Sequence, residues 1–190
     1  MEKNLTQQPV AGLVKIVCFG PESTGKTTLA KALAAHYNTL WVQEYMRTYF
    51  EKKWRGEKGI STVGDILPIA YGQIASENKK ALMANKLLFC DTDLLQIKVY
   101  SQAYFDEFCP PELEKNALKN RYDFYFLMAI DIAWEEDNLR DKPYEREVMF
   151  NRFKRELEQQ NKPFMVLEGD FTKRFEAAIA VIENLIKTPK

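Results

Sequence analysis

Two glycines, a lysine and a hydroxyl residue set the first chemistry legible in this chain. Gly20-Pro21-Glu22-Ser23-Thr24-Gly25-Lys26-Thr27 matches G-x-x-x-x-G-K-[ST] in full, and Thr28 extends it by one more hydroxyl. In that pattern the glycines let the backbone curl, so that successive N–H groups point at a β-phosphate. Lys26 adds a charge on the β- and γ-phosphates, and the Thr27 hydroxyl is placed to ligate Mg²⁺. The pattern therefore implies a nucleoside triphosphate, ATP or GTP, held with Mg²⁺ by residues Gly20 through Thr28. The guanine motif N-K-x-D of switch GTPases is not completed by Asn161-Lys162-Pro163-Phe164.

The motif needs a strand before it and a helix after it. Val14 to Phe19 reads as a buried strand, and Lys26 to Tyr37 is rich in strong helix formers. Further along, Thr39 to Gln43 reads as a second strand and Tyr45 to Lys53 as a helix. Asp65 to Lys86 reads as a long helix with Pro68 in its first turn, where proline is tolerated. Leu87 to Cys90 is a third strand, Leu94 to Phe105 and Pro110 to Leu118 are helices, Tyr122 to Ile130 is a fourth strand, Phe164 to Leu167 a fifth, and Thr172 to Lys187 a closing helix. Short apolar strands alternating with helices predict an α/β fold, a five-stranded parallel sheet between helical layers, and the phosphate loop after its first strand makes this a three-layer P-loop NTPase. One domain is expected over 13–188, preceded by a loose tail over 1–12 and carrying a lid at about 132–146.

Ligands of such sheets bind at the carboxyl ends of the strands. The second strand should lie beside the first and delivers Glu44-Tyr45-x-Arg47. The third delivers Asp91-Thr92-Asp93, the fourth Asp131, and the fifth Glu168-Gly169-Asp170. Phosphoryl transfer needs one carboxylate to hold Mg²⁺ and another to accept a hydroxyl proton. Asp91, directly after an apolar strand, is the metal-holding candidate together with Thr27. Its plain alternative is a helix N-cap, a role open to Asp93 as well. Glu44 is the candidate for catalysis or substrate contact, and Arg47, one turn on, for orienting it or holding substrate. The charged segment Trp134 to Arg146 suits a lid, with Arg140 and Arg146 as candidates for neutralising charge during transfer.

The bulk composition removes other classes. Twenty-seven basic and 27 acidic residues cancel, so no global field draws the chain to nucleic acid. No apolar run approaches the ~18 residues of a membrane span, and the polar start does not resemble a signal peptide. Cys18, Cys90 and Cys109 make an odd count without a C-x-x-C pair, which favours a reducing, cytoplasmic setting. His36 is the single histidine, so neither H-x-G-H nucleotidyl transfer nor Ser-His-Asp catalysis is available.

Taken together, the phosphate loop, Glu44-Tyr45-x-Arg47, Asp91-Thr92-Asp93, Gln73 after an aromatic-glycine pair, and Trp134-x-x-Asp137-x-x-Arg140 resemble one family. It is the ribosylnicotinamide kinase domain of the NadR-type NAD-biosynthesis proteins of bacteria, and the likeness runs from Val14 to about Phe175. The resemblance implies an ATP- and Mg²⁺-dependent kinase for the 5′-hydroxyl of nicotinamide riboside. Lys26, Glu44, Asp91 and Arg140 would be catalytic, with Glu44 the first choice of base and Asp91 the second. Glu44, Tyr45, Arg47, Asp91, Asp93 and Trp134 would bind substrate, and Glu168 to Lys173 would touch adenine. A pyridinium cation also asks for acids and an aromatic face, a contact worth about 1–2 kcal/mol when desolvated; Trp41, Tyr45, Tyr49 and Trp134 are the aromatics that this layout puts near. Family members often carry a DNA-binding segment and an adenylyltransferase domain; here a free-standing kinase is expected. The expected partners are small molecules, with room for functional coupling to a vitamin transporter. Two rival readings stay open: a kinase for another nucleoside or small metabolite, and a nucleotide-dependent regulatory ATPase acting through a partner.

Overall fold

A computed structural model describes residues 4–54, 59–133 and 145–187 of the chain. The elements run β1 (Val14–Phe19), α1 (Lys26–His36), β2 (Leu40–Val42), α2 (Tyr45–Trp54), α3 (Val63–Ala81), β3 (Leu87–Asp91), α4 (Leu94–Tyr104), α5 (Pro111–Lys119), β4 (Phe124–Met128), α6 (Arg146–Gln159), β5 (Phe164–Leu167) and α7 (Phe171–Lys187). All pairings are parallel, in the order β2-β3-β1-β4-β5. The three-layer fold expected from the strand–helix alternation is present.

The central strand β1 is buried throughout, as both faces of a parallel sheet are covered. Its side chains alternate between two cores. Val17 and Phe19 join Ile74, Leu95, Leu113 and Phe153 beneath α3 to α6. Val14, Ile16 and Cys18 join Leu29, Leu33, Ala178 and Ile182 beneath α1 and α7. Each strand's period of two thus feeds two helical layers from one sequence. The chain leaves β1 towards α1 on one face and leaves β3 towards α4 on the other. A crevice opens between neighbouring strands whose exits diverge in this way.

Four expectations need correction. β2 does not lie beside β1: it pairs with β3, Leu40 opposite Leu88 and Val42 opposite Cys90, and β3 takes the place next to β1. Apolar from Leu87 to Cys90, β3 can be buried on both sides, whereas the short and half-exposed β2 suits an edge. The long helix is α3, from Val63 to Ala81, which puts Pro68 inside it rather than in its first turn. Arg146, expected as the last residue of the charged lid segment, is the first residue of a helix, α6, whose buried Met149, Phe153 and Leu157 supply the apolar stripe. Finally, the segment expected to be a loose tail is docked from residue 4 onward. Leu5 is 1% exposed, Gln7 Nε2 donates to Glu77 at 2.8 Å, and Gln8 N donates to Asn78 at 2.8 Å.

Among the described residues, no helix is long and apolar enough to cross a membrane.

Candidate functional site

The phosphate loop follows from what its glycines permit. Gly20 turns the chain out of β1 at φ +128°, where an added Cβ would meet the Met128 carbonyl oxygen at 3.2 Å. Ser23 and Gly25 also take positive φ, 53° and 83°. Such turns gather successive N–H groups into one concavity. Gly25 is then the N-cap of α1, so the first amides of that helix face the same point. Lys26 folds back along the loop, its Nζ donating to the carbonyl oxygens of Gly20 at 2.9 Å and Pro21 at 2.6 Å. From α4, Gln96 accepts the Gly20 N–H on Oε1 at 3.1 Å and so ties the loop to the helix after β3.

Asp91 closes β3 and is 1% exposed. The Thr27 hydroxyl donates to its Oδ2 at 2.5 Å, while Oδ1 is buried without a hydrogen-bond partner. Burial raises the Asp91 pKa, and the charge of Lys26 with the Thr27 hydroxyl opposes that. A hydroxyl of the phosphate loop beside a carboxylate with an open oxygen makes a pair of hard donors that suits Mg²⁺. Asp93, two residues on, is used within the protein. Its Oδ1 caps α4 through Gln96 N at 2.9 Å, and its Oδ2 accepts from the Tyr125 hydroxyl at 2.9 Å.

Two cavities meet at the loop. One, of about 340 Å³, is walled by the loop from Glu22 to Thr28 with Arg47 and Ile132. The other, of about 350 Å³, runs between α2, α3 and α4 and is lined by Phe50, Trp54, Tyr104 and Phe105 among others. Glu22, Glu44, Met46 and Tyr100 border both. Glu44 thus stands where the two spaces join. At the far end, Asp65 accepts from Lys53 at 2.6 Å and from the Tyr49 hydroxyl at 2.7 Å. Burial would raise the Asp65 pKa, but these bonds and those from Thr62 lower it to about 2, while Tyr49 is pushed up to about 12, chiefly by its bond to Asp65. The acids at the border shared by the two cavities are Glu22 and Glu44.

Residues 15–174 match the family described as AAA domain. The chain belongs to that family. Within this AAA domain the same stretch carries a further likeness: the trifunctional NAD biosynthesis/regulator protein NadR of Escherichia coli (strain K12) is 27% identical over 174 residues, 90% of this chain and 42% of that protein. The chain therefore spans less than half the length of the curated relatives that it matches. In fold it is similar to a crystal structure of a NadR protein in complex with NR, at a TM-score of 0.74 and 21% identity, covering 93% of this chain and 52% of that one. It is also similar to a deoxyadenosine kinase from M. mycoides, with a TM-score of 0.65, 16% identity and 90% and 100% of the two chains covered. These likenesses fit the resemblance drawn from the motifs, and the fold is a three-layer P-loop NTPase fold similar to that of nucleoside kinases.

The residues singled out from the AAA domain's sequence separate into groups. Gly25 to Thr28, Glu22 to Thr24, Glu44 and Arg47 are brought together around the loop cavity. Tyr45 points its N–H at Gln73 Oε1, 2.7 Å away, and packs its ring on Gly72, where any Cβ would overlap it. Trp41 lies under Lys31 and Lys80 at 5.2 and 5.5 Å. Neither Tyr45, Trp41 nor Tyr49 lines the two cavities; among the described residues the aromatics that do are Phe50, Trp54, Tyr100, Tyr104 and Phe105. These were missed because nothing in their local sequence distinguishes them from core, although Phe50 and Trp54, stacked at 4.2 Å, are one helical turn apart. After β5, Gly169 N donates to Asp131 at 2.5 Å and Asp170 caps α7 through Lys173 N at 2.9 Å. Trp134, Asp137 and Arg140, with most of the expected lid, lie outside the described residues.

Proposed function

We propose that this chain transfers the γ-phosphoryl group of ATP to the 5′-hydroxyl of nicotinamide riboside, giving nicotinamide mononucleotide. The observation that carries the reading is Glu44 at the border shared by the loop cavity and the aromatic cavity. A donor held in the first and an acceptor in the second would meet at that carboxylate. In this mechanism the loop amides and Lys26 bind the triphosphate, and Glu44 accepts the proton of the attacking hydroxyl. Thr27 and Asp91 would hold Mg²⁺, which when bound neutralises phosphate charge. Arg47 lies close enough to lower the Asp91 pKa by its charge and is assigned to the phosphate side of the border.

The acceptor cavity suits a pyridinium riboside. Trp54, Phe50 and Tyr104 offer flat faces, and Glu22 and Glu44 offer negative charge near the mouth. The similarity to NadR over 90% of the chain supports the same acceptor. A kinase for another nucleoside is the second reading, favoured by one observation: an aromatic wall of this size fits any flat base. Arg140, Trp134, Tyr45 and Asp93 stay as proposals from the resemblance; for Tyr45 and Asp93, whose groups are engaged inside the fold, the proposed role is to position Glu44 and Asp91. Cytoplasmic location and a lid over residues 132–146 belong to the same proposal.

The test is the Glu44→Gln variant, which keeps the shape of the site and removes the base. It should bind ATP as the parent does and lose about 100-fold or more in acceptor-dependent turnover. Unchanged turnover would remove Glu44 from the chemistry.

A further inference from the structure

The outer side of the phosphate loop has its own hydrogen-bonding problem. A loop that turns its N–H groups inward must turn carbonyl oxygens outward, and these need donors once buried. Two arginines from distant elements supply them. Arg174, on the first turn of α7, is 3% exposed. Its Nη1 donates to the Thr24 carbonyl at 2.7 Å, and its Nη2 donates to the Ala129 carbonyl at 3.2 Å and is ion-paired with Asp131. Arg146, the first residue of α6, donates from Nη2 to the Ser23 carbonyl at 3.3 Å and from Nη1 to the Ile132 carbonyl at 3.0 Å. Each guanidinium therefore spans the loop and the segment that follows β4. A third connection joins the same group, since Asp131 also accepts from Gly169 N after β5.

We propose that Arg174 and Arg146 are positioning residues for triphosphate binding, a clamp that holds the loop from behind. Neither needs to touch the nucleotide. A cation bonded to a peptide oxygen draws charge through the peptide and makes the N–H on its other side a stronger donor. For Ser23 and Thr24 those N–H groups belong to Thr24 and Gly25, inside the concavity. The clamp also fixes the left-handed turns at Ser23 and Gly25, which ordinary residues resist. Arg146 and Arg174 are close enough for their charges to repel, and this repulsion adds to burial in lowering the Arg146 pKa. Asp131, paired with Arg174 and close to Arg146, offsets one of these charges, and the other leaves a positive potential behind the phosphates. The same bonds attach the loop to Ile132, at the threshold of the lid segment.

The experiment uses the full chain and two ligands, ATP and adenosine, with affinities measured by titration and folding by thermal denaturation. Arg174→Met and Arg146→Met should each weaken ATP about 10-fold or more, while adenosine, which lacks phosphates, binds as to the parent. Arg146 is only partly buried, so Arg146→Met carries the test should Arg174→Met not fold. Wild-type ATP affinity in a folded variant would overturn the proposal. So would a parallel loss for ATP and adenosine, the mark of a merely structural role. The inference rests on triphosphate binding alone, so it stands or falls independently of which acceptor is used.

Discussion

At the scale of single residues, the site is a set of charges placed by their partners. Asp65 is held by Lys53, Tyr49 and Thr62 at the start of α3, with its N–H and hydroxyl bonds from Thr62 both at 2.9 Å. Its pKa falls from 3.8 to about 2, so the folded state binds its proton less tightly than the unfolded chain does. The stability this adds is complete above the unfolded value and is lost as the pH drops through 3.8 towards 2. Asp65→Asn should therefore cost about 1 kcal/mol at pH 7 and flatten the fall of stability between pH 5 and 2, read by urea denaturation across that range. A parent and variant that lose stability in parallel would place the acid sensitivity elsewhere. Cys18 and Cys90 are both buried, and burial raises their thiol pKa values, leaving them as inert core.

At the scale of elements, what decides the site is how α2 meets α3. Gly72 is the contact point, because Tyr45, directly after Glu44, packs its ring where a side chain would stand. Gly72→Ala gains about 1 kcal/mol of helix propensity but must push Tyr45 away, at a typical cost of 1–3 kcal/mol. The expected result is a lower melting temperature together with a raised acceptor KM, since Glu44 moves with the start of α2. Steady-state kinetics and thermal denaturation of one preparation check both. This packing also explains what the sequence could and could not disclose. β1, the loop and α1 were legible because each motif residue answers a local need: curl, charge or capping. The acid after β3 was legible for the same reason. The position of β2 was not, since the choice between β1 and β3 as its neighbour rests on which strand can be buried on both faces. Nor were Trp54, Tyr104 and Arg174, whose roles come from helices that only the folded chain brings beside the loop. Helix α6 was hidden by its charge, with its apolar side carried by a few spaced residues such as Phe153 and Leu157.

At the scale of the whole molecule, the fold is a two-sided platform whose strand ends open onto the loop cavity and the aromatic cavity that borders it. A ligand that binds only the folded chain stabilises it by mass action, about 2.7 kcal/mol at a concentration 100 times its Kd. For a chain of this size that corresponds to a rise of several degrees in melting temperature. Mg-ATP should produce it in the parent, and Lys26→Ala should abolish it, as differential scanning fluorimetry will show. An unchanged rise in Lys26→Ala would mean that the triphosphate sits elsewhere. The central claim concerns where the phosphoryl group goes, and it is tested by incubating the protein with Mg-ATP and nicotinamide riboside, thymidine, uridine or shikimate singly, then measuring ADP and identifying the phosphorylated product by mass. The account predicts nicotinamide mononucleotide formed one for one with ADP, and little turnover with the other acceptors. ADP release that ignores nicotinamide riboside, or that follows another acceptor in its place, would contradict it.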